Sequence, residues 1–339
     1  GTDCIQADTG NDTLFGAAGT DTLLGQGGND QLDGGSGVDQ INGDTGNDFI
    51  FGGTGADALT GLGGDRTFVT TDEPRAIAAR CGVALLAVPP EPAKVLAPAL
   101  RAAGAKVIDL SHAHRGAPDA VYGLASLFAA EMARASLVAN PGCYATAVIT
   151  AAAPLVRHGL LDGELIVSAG SGVTGAGRAA EEALSLGEMY GEVRAYKVLR
   201  HQHVPEIEAA LARVASEAPG PRVILTTHLL PVARGIFATL TARLARPMSS
   251  SALVELYRAD YDGDPTVEIT RTPEEVSLRR VVGTNRCQVG IASDDHRIVV
   301  VTAALDNLLK GAAGQAVENM NLVLGLPRMV GLEHLARHA

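Results

Sequence analysis

The sequence predicts a multidomain protein in which a stacked repeat precedes an α/β segment and then an α+β segment. A nine-residue period governs residues 1–64, and such a period is typical of a stacked architecture. Beyond residue 66, apolar strand patterns alternate with helix patterns, which predicts a parallel sheet. After residue 223, further strand patterns indicate a second domain with a mainly antiparallel sheet.

Each nine-residue unit of the first segment combines a glycine turn, an aspartate and one apolar residue. The aspartates recur at Asp3, Asp12, Asp21, Asp30, Asp39, Asp48 and Asp57. A single unit cannot bury its own Leu or Ile, whereas stacked units bury a column of them. The aspartates would repel one another unless a cation lay between the turns. Carboxylates and turn carbonyls together form the oxygen ligand set that suits Ca²⁺.

These units resemble the RTX nonapeptide repeats, which form a calcium-filled parallel β-roll. The resemblance implies a β-roll over residues 1–66. Its expected Ca²⁺ ligands are Asp12, Asp21, Asp30, Asp39, Asp48 and Asp57. The alternative is a disordered Gly/Asp linker, which we expect in the absence of calcium because the charge is then uncompensated.

The acidity of the chain belongs to the repeat alone. The formal net charge is −11, and residues 1–65 hold eleven Asp but no Glu, Lys or Arg. The remainder balances 27 acidic with 27 basic residues, and it has no basic stretch suited to nucleic acid or an anionic membrane. No apolar run reaches 18 residues, so no transmembrane span is expected. The four cysteines form no CxxC pair, which argues against a zinc site and fits a reducing compartment.

Cys143 is the strongest candidate for a nucleophile. The apolar run 135–139 predicts a buried strand, Pro141 and Gly142 predict a turn, and residues 147–156 predict a helix. A thiol at the start of a helix lies near unpaired N–H groups and the positive end of the dipole, which favour the thiolate. The alternative is a small buried apolar residue.

Three further stretches carry polar residues of interest. Residues 170–178 contain a GxGxxG pattern after a predicted strand at 164–168 and before a predicted helix at 179–186. No second apolar strand follows that helix, so a Gly-rich turn lining a substrate pocket is favoured over a dinucleotide site. His201 and His203, at the entrance to a helix, are candidates for metal ligands, for bases or for neither role. Without a nearby third ligand, a general base beside the cysteine is the more economical interpretation.

The remaining patterns complete the expected order of elements. Residues 83–88 and 106–110 predict strands that flank a helix at 92–103. Residues 223–231 and 236–244 predict an antiparallel pair joined by a turn at Arg234 and Gly235. Residues 281–291 and 298–303 predict two more strands, and residues 306–317 predict the opening of a long helix.

Six motifs in order resemble N-acetyl-γ-glutamyl-phosphate reductase, its α-aminoadipate counterpart and, more distantly, aspartate-semialdehyde dehydrogenase. The motifs are 140–146 (NPGCYAT), 171–178 (SGVTGAGR), 201–208 (HQHVPEIE), 228–235 (HLLPVARG), 283–287 (GTNRC) and 306–316 (DNLLKGAAGQA). The resemblance covers residues 82–339. It implies an incomplete Rossmann-like NADP-binding domain at 67–139, a catalytic α+β domain at 140–303, and a helical segment at 304–339 that returns to the nucleotide domain.

The resemblance also implies a reaction and a set of residues. Cys143 would attack an acyl phosphate to form a thioester, which NADPH would reduce to the aldehyde. It implies a homodimer or homotetramer that acts on a small acyl phosphate in the cytoplasm, although an RTX array indicates an extracellular setting. The implied roles are acid–base chemistry for His203, His201 and Glu206, substrate binding for Arg178 and Arg234, and nicotinamide contact for Ser171, Gly172 and Asn307.

One departure from the family pattern limits this expectation. The family begins with a strand, a GxxGxxG turn and a helix, but here the acidic repeat stands in their place. We therefore expect the chain to bind Ca²⁺, and to bind NADPH weakly or not at all. Two alternatives are a calcium-binding module carrying an inactive reductase domain, and a cysteine-dependent acyltransferase or esterase.

Overall fold

The computed structural model describes residues 1–46, 48–52, 58–62, 65–69, 82–176, 189, 191–215 and 219–333. The chain divides into two compact units, Gly1–Pro74 and Arg75–Ala339. Asp57, Arg178 and the helix predicted at 179–186 lie outside the described residues.

The first unit consists of short strands in two main parallel sheets. The strands are β1 (Cys4–Gln6), β2 (Thr13–Phe15), β3 (Ala18–Gly19), β4 (Thr22–Leu24), β5 (Gln31–Asp33), β6 (Ser36–Gly37), β7 (Gln40–Thr45), β8 (Phe49–Phe51), β9 (Ala58–Leu62) and β10 (Asp65–Val69). One sheet has the order β1-β4-β7-β9-β10, of which β10 alone is antiparallel to its neighbour, and the other has the order β2-β5-β8. Successive nine-residue units therefore contribute alternately to the two sheets.

The apolar column expected from the repeat is present. Leu14, Leu23, Leu32 and Ile41 are buried together, drawn in turn from the two sheets. The turns require glycine where layers approach most closely: Gly28 has φ +143°, and a Cβ there would lie 1.5 Å from the Gly10 carbonyl oxygen. An L-residue can neither adopt that backbone conformation readily nor fit that space.

The second unit begins with a four-stranded parallel sheet of Rossmann-like type, as the alternating pattern predicted. Its strands are β11 (Val83–Leu86), β12 (Lys106–Asp109), β13 (Val121–Tyr122) and β14 (Leu137–Ala139), in the order β11-β12-β14-β13. Helix α1 (Pro90–Ala102) and helix α2 (Ala125–Met132) connect them. Among the described residues β11 is an edge strand, and Leu85 on it is 43% exposed.

A seven-stranded mixed sheet follows. Its strands are β15 (Leu165–Ser171), β16 (Arg194–Tyr196), β17 (Val223–Leu229), β18 (Ile236–Arg243), β19 (Val267–Ile269), β20 (Cys287–Ser293) and β21 (Ile298–Leu305). The order is β16-β17-β15-β18-β21-β20-β19. Four of the six pairings are antiparallel and two are parallel, so the sheet is mainly antiparallel, as predicted.

The predicted antiparallel pairing of β17 with β18 is wrong. Strand β15 lies between them, parallel to β17 and antiparallel to β18. The connection at 230–235 crosses the end of β15 instead of closing a hairpin, because its backbone pairs with residues that follow that strand. Gly172 N donates to Gly235 O, and Val173 N donates to Val232 O. The strand predicted at 281–291 is also shorter, since helix α6 (Leu278–Val281) ends at its first residue and a turn through Gly283, with φ +82°, precedes β20.

One face of the seven-stranded sheet is covered by helices and the other carries exposed side chains. The covering helices are α3 (Cys143–Arg157), α4 (Val204–Val214) and α5 (Ser250–Asp260). Every residue of α3 from Tyr144 to Val156 is buried. On the opposite face Ile166 is 52% exposed and Ser168 is also exposed.

The C-terminal part is a π-helical turn (Leu309–Ala313) followed by helix α7 (Gly314–Val323). Helix α7 packs against α2 and β12, and Lys106 Nζ donates to Val323 O at 2.5 Å. Within the described residues, no helix combines the length and apolar character needed to cross a membrane.

Candidate active site

Cys143 is the first residue of α3, directly after the loop that follows β14. Gly142, whose backbone is extended, forms the N-terminal boundary of the helix. Asn140 anchors the start of this loop, since its N–H donates to Asp109 O at 2.8 Å. The predicted position of the thiol at a helix N-terminus is confirmed, and the side chain is only partly exposed.

Burial opposes the expected ionisation of this thiol in the free protein. Burial raises the pKa of Cys143 to about 11, although the backbone N–H of Tyr144 and the Arg115 guanidinium both act to lower it. The free-energy cost of removing a thiolate from water grows with burial. Here that cost exceeds the stabilisation of the thiolate by the helix N-terminus. At neutral pH the group is therefore a thiol that needs a base.

Glu206 joins α4 to the loop at residues 140–142, which precedes Cys143 and is called the nucleophile loop below. Its Oε1 accepts hydrogen bonds from Gly142 N at 2.8 Å and from Tyr122 Oη at 2.7 Å. Its Oε2 accepts from Arg115 Nη1 at 3.0 Å. Both oxygens are thus engaged by donors, and this buried carboxylate holds its neighbours in place.

Arg115 is a site residue that the sequence did not reveal. Its Nε donates to Asn140 O at 3.0 Å and its Nη2 donates to Leu110 O at 3.2 Å, so the guanidinium is fixed beside the nucleophile loop. Ligands of open α/β sheets bind outside the carboxyl ends of the strands. The position of Arg115, six residues after the carboxyl end of β12, was therefore the one feature of the sequence that could have indicated a binding role.

His203 lies directly against the residue before the cysteine. A Cβ on Gly142 would be 2.2 Å from His203 Nε2 and 2.7 Å from Arg115 Nη1. The His203 Nδ1 atom is buried and has no hydrogen-bond partner among the described atoms. Burial holds the pKa of His203 well below its usual range, and the positive charge of Arg115 adds to this effect. The imidazole is therefore neutral at physiological pH.

His201 stands behind His203 among aromatic rings. Its Nδ1 accepts from His203 N at 3.3 Å, and its ring contacts Tyr144 and Tyr196 edge-on. Burial lowers the pKa of His201 to about 4. Because His203 rather than His201 lies against Gly142, the geometry favours His203 as the base.

The residues predicted to contact the nicotinamide are brought together by the connection at 230–235. Asn307 Oδ1 accepts from Gly235 N at 2.7 Å, and Asn307 Nδ2 donates to Thr174 Oγ1 at 3.1 Å. A Cβ on Gly172 would lie 2.7 Å from Ala233 O, so the chain needs glycine there. Ser171 precedes this glycine and is buried. Arg234, on the same connection, is exposed.

The aspartates of the first unit use their two oxygens differently. The Oδ1 atoms of Asp21, Asp30, Asp39 and Asp48 each accept from the backbone N–H of the aspartate 18 residues earlier, at 2.8–3.0 Å. The Oδ2 atoms of Asp12, Asp21 and Asp30 are buried and accept no hydrogen bond within the described residues. Burying an unpaired carboxylate oxygen is costly, so these atoms are suited to binding a cation.

Main-chain oxygens lie next to these carboxylates. The position a Cβ would take on Gly25 is 2.6 Å from Asp30 Oδ2 and 2.9 Å from Gly43 O. The same position on Gly34 is 2.6 Å from Asp39 Oδ2 and 2.7 Å from Gly52 O. No three Asp, Glu, His or Cys side chains of the described residues converge on one point, so carbonyl oxygens would supply the remaining ligands. This all-oxygen set fits Ca²⁺.

Family models match most of the chain. The model described as "Semialdehyde dehydrogenase, NAD binding domain" matches residues 52–135, and the one described as "Semialdehyde dehydrogenase, dimerisation domain" matches residues 143–307. The "RTX calcium-binding nonapeptide repeat" matches residues 1–32 and 33–68. The match to the NAD binding domain therefore begins at residue 52, inside the repeat, whereas the resemblance found from the motifs begins at residue 82.

Curated relatives share one name. An N-acetyl-gamma-glutamyl-phosphate reductase of Bacillus cereus (strain AH187) is 40% identical over 274 residues, which are 75% of this chain and 79% of the relative. The enzyme of the same name from Geobacillus kaustophilus (strain HTA426) is 40% identical over 277 residues, covering 76% and 80%.

Solved structures agree on the fold. Aspartate semialdehyde dehydrogenase II from Vibrio cholerae has a TM-score of 0.63 at 17% identity, covering 93% of this chain and 98% of that one. A probable aspartate-semialdehyde dehydrogenase from Pseudomonas aeruginosa has a TM-score of 0.61 at 22% identity, covering 77% and 84%. At these identities the likeness bears on the fold alone.

Proposed function

Because the chain belongs to the N-acetyl-gamma-glutamyl-phosphate reductase family, oxidoreductases of the semialdehyde dehydrogenase type, we propose that it carries out acyl-phosphate reduction through Cys143. The substrate would be N-acetyl-γ-glutamyl phosphate, a step of arginine biosynthesis in the cytoplasm, and the product the semialdehyde. The observation that supports this best is the loop at Gly142 and Cys143, held by Glu206 and flanked by His203 and Arg115.

The first step is attack by Cys143 on the acyl carbon. The thiol proton passes to neutral His203, a C–S bond forms, and the C–O bond to phosphate breaks to leave a thioester and inorganic phosphate. Arg115 supplies positive charge beside the loop, where a planar donor suits an anionic phosphate. A base is needed here because burial raises the pKa of the thiol to about 11.

The second step is reduction of the thioester. A bound NADPH would supply the hydride for the acyl carbon, and the products would be the aldehyde and the free Cys143 thiol. Ser171, Gly172 and Asn307 would hold the nicotinamide side, with Arg178 and Arg234 on the substrate carboxylate. The sequence offers no GxxGxxG turn for the pyrophosphate, so we expect weak NADPH affinity.

The reaction can be tested without relying on NADPH affinity. The chain is mixed with N-acetyl-γ-glutamyl phosphate and no nucleotide, and phosphate release is followed in the first turnover. We expect a burst of about one phosphate per chain, lost in Cys143→Ala. Phosphate-dependent NADP⁺ reduction with the semialdehyde then reports on the hydride step separately. The aminoadipyl phosphate is the competing substrate to compare.

We propose, second, that residues 1–66 form a calcium-binding β-roll. The supporting observation is the row of buried Oδ2 atoms beside turn carbonyls at Asp12, Asp21 and Asp30. Asp39, Asp48 and Asp57 would continue the same ligand series along the repeat. Calcium-dependent circular dichroism and calorimetry test this, and no change on adding Ca²⁺ would contradict it.

We propose also that the chain assembles with a second copy of itself. The matched dimerisation domain covers residues 143–307, which contain all seven strands of the large sheet. The exposed Ile166 on its uncovered face would be buried by the same face of a partner. An Ile166→Glu substitution is expected to shift the mass measured by light scattering toward that of a single chain, whereas Val95→Glu, on helix α1, is not.

A further inference from the structure

The π-helical turn at Leu309–Ala313 packs directly against Cys143, and the proposed reaction does not use it. Its i→i−5 hydrogen bonds run from Gly311 N to Asp306 O and from Ala313 N to Leu308 O, both 2.9 Å. Such turns are rare and often occur at functional sites. A Cβ on Gly311 would lie 2.8 Å from Cys143 Cβ, so this backbone forms a wall against the nucleophile.

The same turn is joined to the loop that precedes the cysteine. Asn140 Nδ2 donates to Ala312 O at 3.1 Å, and Asn140 Oδ1 accepts from Asn319 Nδ2 at 2.9 Å. Gln315 Nε2 in turn donates to Asn319 Oδ1 at 3.1 Å. The loop that carries Cys143 is therefore fixed on one side by Glu206 and on the other by the turn and helix α7.

A buried ion pair holds the turn in place. Lys310 is fully buried, and its Nζ lies 2.6 Å from Glu318 Oε1. Glu318 also accepts from Asn285 Nδ2 at 2.8 Å and from Arg328 Nε, so its charge is matched on several sides. Burial opposes the positive charge of Lys310, so the lysine is stable here only when it is paired with Glu318. The pair therefore specifies one position of the turn relative to helix α7.

We propose that Lys310 and Gly311 are positioning residues for the acyl-transfer step, with the Lys310–Glu318 pair fixing the π-helical turn and Gly311 setting where the Cys143 side chain stands. The inference rests on the proposed role of Cys143 as the nucleophile. A displacement of about 1 Å of a reacting group costs on the order of 100-fold in rate, so small changes in the turn have large effects.

The test compares Gly311→Ala with Gly290→Ala. Gly290 is also buried and is more tightly enclosed than Gly311, since a Cβ there would lie 2.6 Å from Thr270 Oγ1 and 2.7 Å from Thr272 O; its close neighbours do not include the cysteine. Lys310→Met is the second variant, and it removes the ion pair that holds the turn without placing an atom against Cys143. It keeps the proposal testable if Gly311→Ala does not fold. Two quantities are measured: the first-turnover phosphate burst rate, and iodoacetamide alkylation of Cys143 relative to exposed Cys4, read by peptide mass.

We expect Gly311→Ala to slow the burst by about 100-fold and Lys310→Met by about 10-fold, with substrate KM unchanged. Both variants should shift the ratio of Cys143 to Cys4 alkylation and its pH profile, and Gly290→Ala should shift neither. Wild-type burst and alkylation in both folded variants, or an equal change in Gly290→Ala, would overturn the proposal. If the wild-type chain gives no burst, the proposed function fails, while the alkylation ratio still tests the positioning.

Discussion

Glu206 Oε1 accepts a hydrogen bond of 2.8 Å from the backbone N–H of Gly142, across 64 residues of sequence. The carboxylate that the family resemblance places in acid–base chemistry thus holds the loop on which the nucleophile stands. Its second oxygen accepts from Arg115 Nη1 at 3.0 Å, so one buried side chain fixes both the loop that carries Cys143 and the Arg115 guanidinium.

Removal of the Glu206 carboxylate should destabilise the fold as well as the reaction. Glu206→Ala leaves Arg115 without its buried partner, which costs about 3–5 kcal/mol of unfolding free energy. Urea unfolding followed by circular dichroism measures this. Glu131→Ala is the matched control, because its pair with Arg213 is largely exposed and is worth at most about 1 kcal/mol. Equal losses in the two variants would contradict the assigned role.

A methyl group on residue 142 should displace the base. In Gly142→Ala the new Cβ would lie 2.2 Å from His203 Nε2, so the imidazole or the loop must move. We expect the phosphate burst to fall by about 100-fold and stability to drop by about 1–3 kcal/mol. Gly82→Ala serves as the control, since a Cβ there meets no atom within 4 Å. Retention of the wild-type burst rate in Gly142→Ala would place His203 outside the mechanism.

Alkylation of Cys143 in the free protein should keep accelerating to high pH. Burial raises the pKa of this thiol to about 11, so the reactive thiolate is scarce at neutral pH. The iodoacetamide rate should therefore rise about tenfold per pH unit between pH 7 and pH 10. Peptide mass spectrometry isolates Cys143 from the other thiols. A plateau below pH 8 would show instead that the helix N-terminus and Arg115 outweigh burial.

Calcium removal should unfold the first unit, because the buried Oδ2 atoms of Asp12, Asp21 and Asp30 accept no hydrogen bond from the described residues. Asp21→Asn and Asp30→Asn keep an oxygen to accept the backbone N–H but remove a negative charge, so each should weaken Ca²⁺ binding measured by calorimetry. Asp8→Asn is the control, since Asp8 is exposed and lies outside the nine-residue series. Equal Ca²⁺ affinity in all three variants would rule out the assigned ligands.

The repeat and the nucleophile loop were predictable because their signals are local. The nine-residue period fixes which residues share a layer, and Leu14, Leu23, Leu32 and Ile41 are buried as it requires. Likewise, an apolar run, a Pro-Gly turn and a second apolar run lie within some twenty residues around Cys143, so its position at a helix start could be inferred directly.

What the sequence missed depends on long-range packing. Arg115 is a single arginine in a loop, and nothing near it shows that Glu206, 91 residues later, will bind it. Strands β17 and β18 are neighbours in sequence, yet β15 inserts between them, which no turn signal shows. The high pKa of Cys143 likewise arises from burial by distant segments such as the turn at Gly311.

The most direct measurement of the central claim is phosphate release from N-acetyl-γ-glutamyl phosphate in the first turnover, without nucleotide, by the whole chain and by Cys143→Ala. If Cys143 is the acyl-accepting nucleophile, the whole chain releases about one phosphate per chain in a burst and carries the acyl mass on the Cys143 peptide. Cys143→Ala then shows neither. A burst that persists in Cys143→Ala, or no burst and no acyl mass in the folded wild-type chain, would contradict the account.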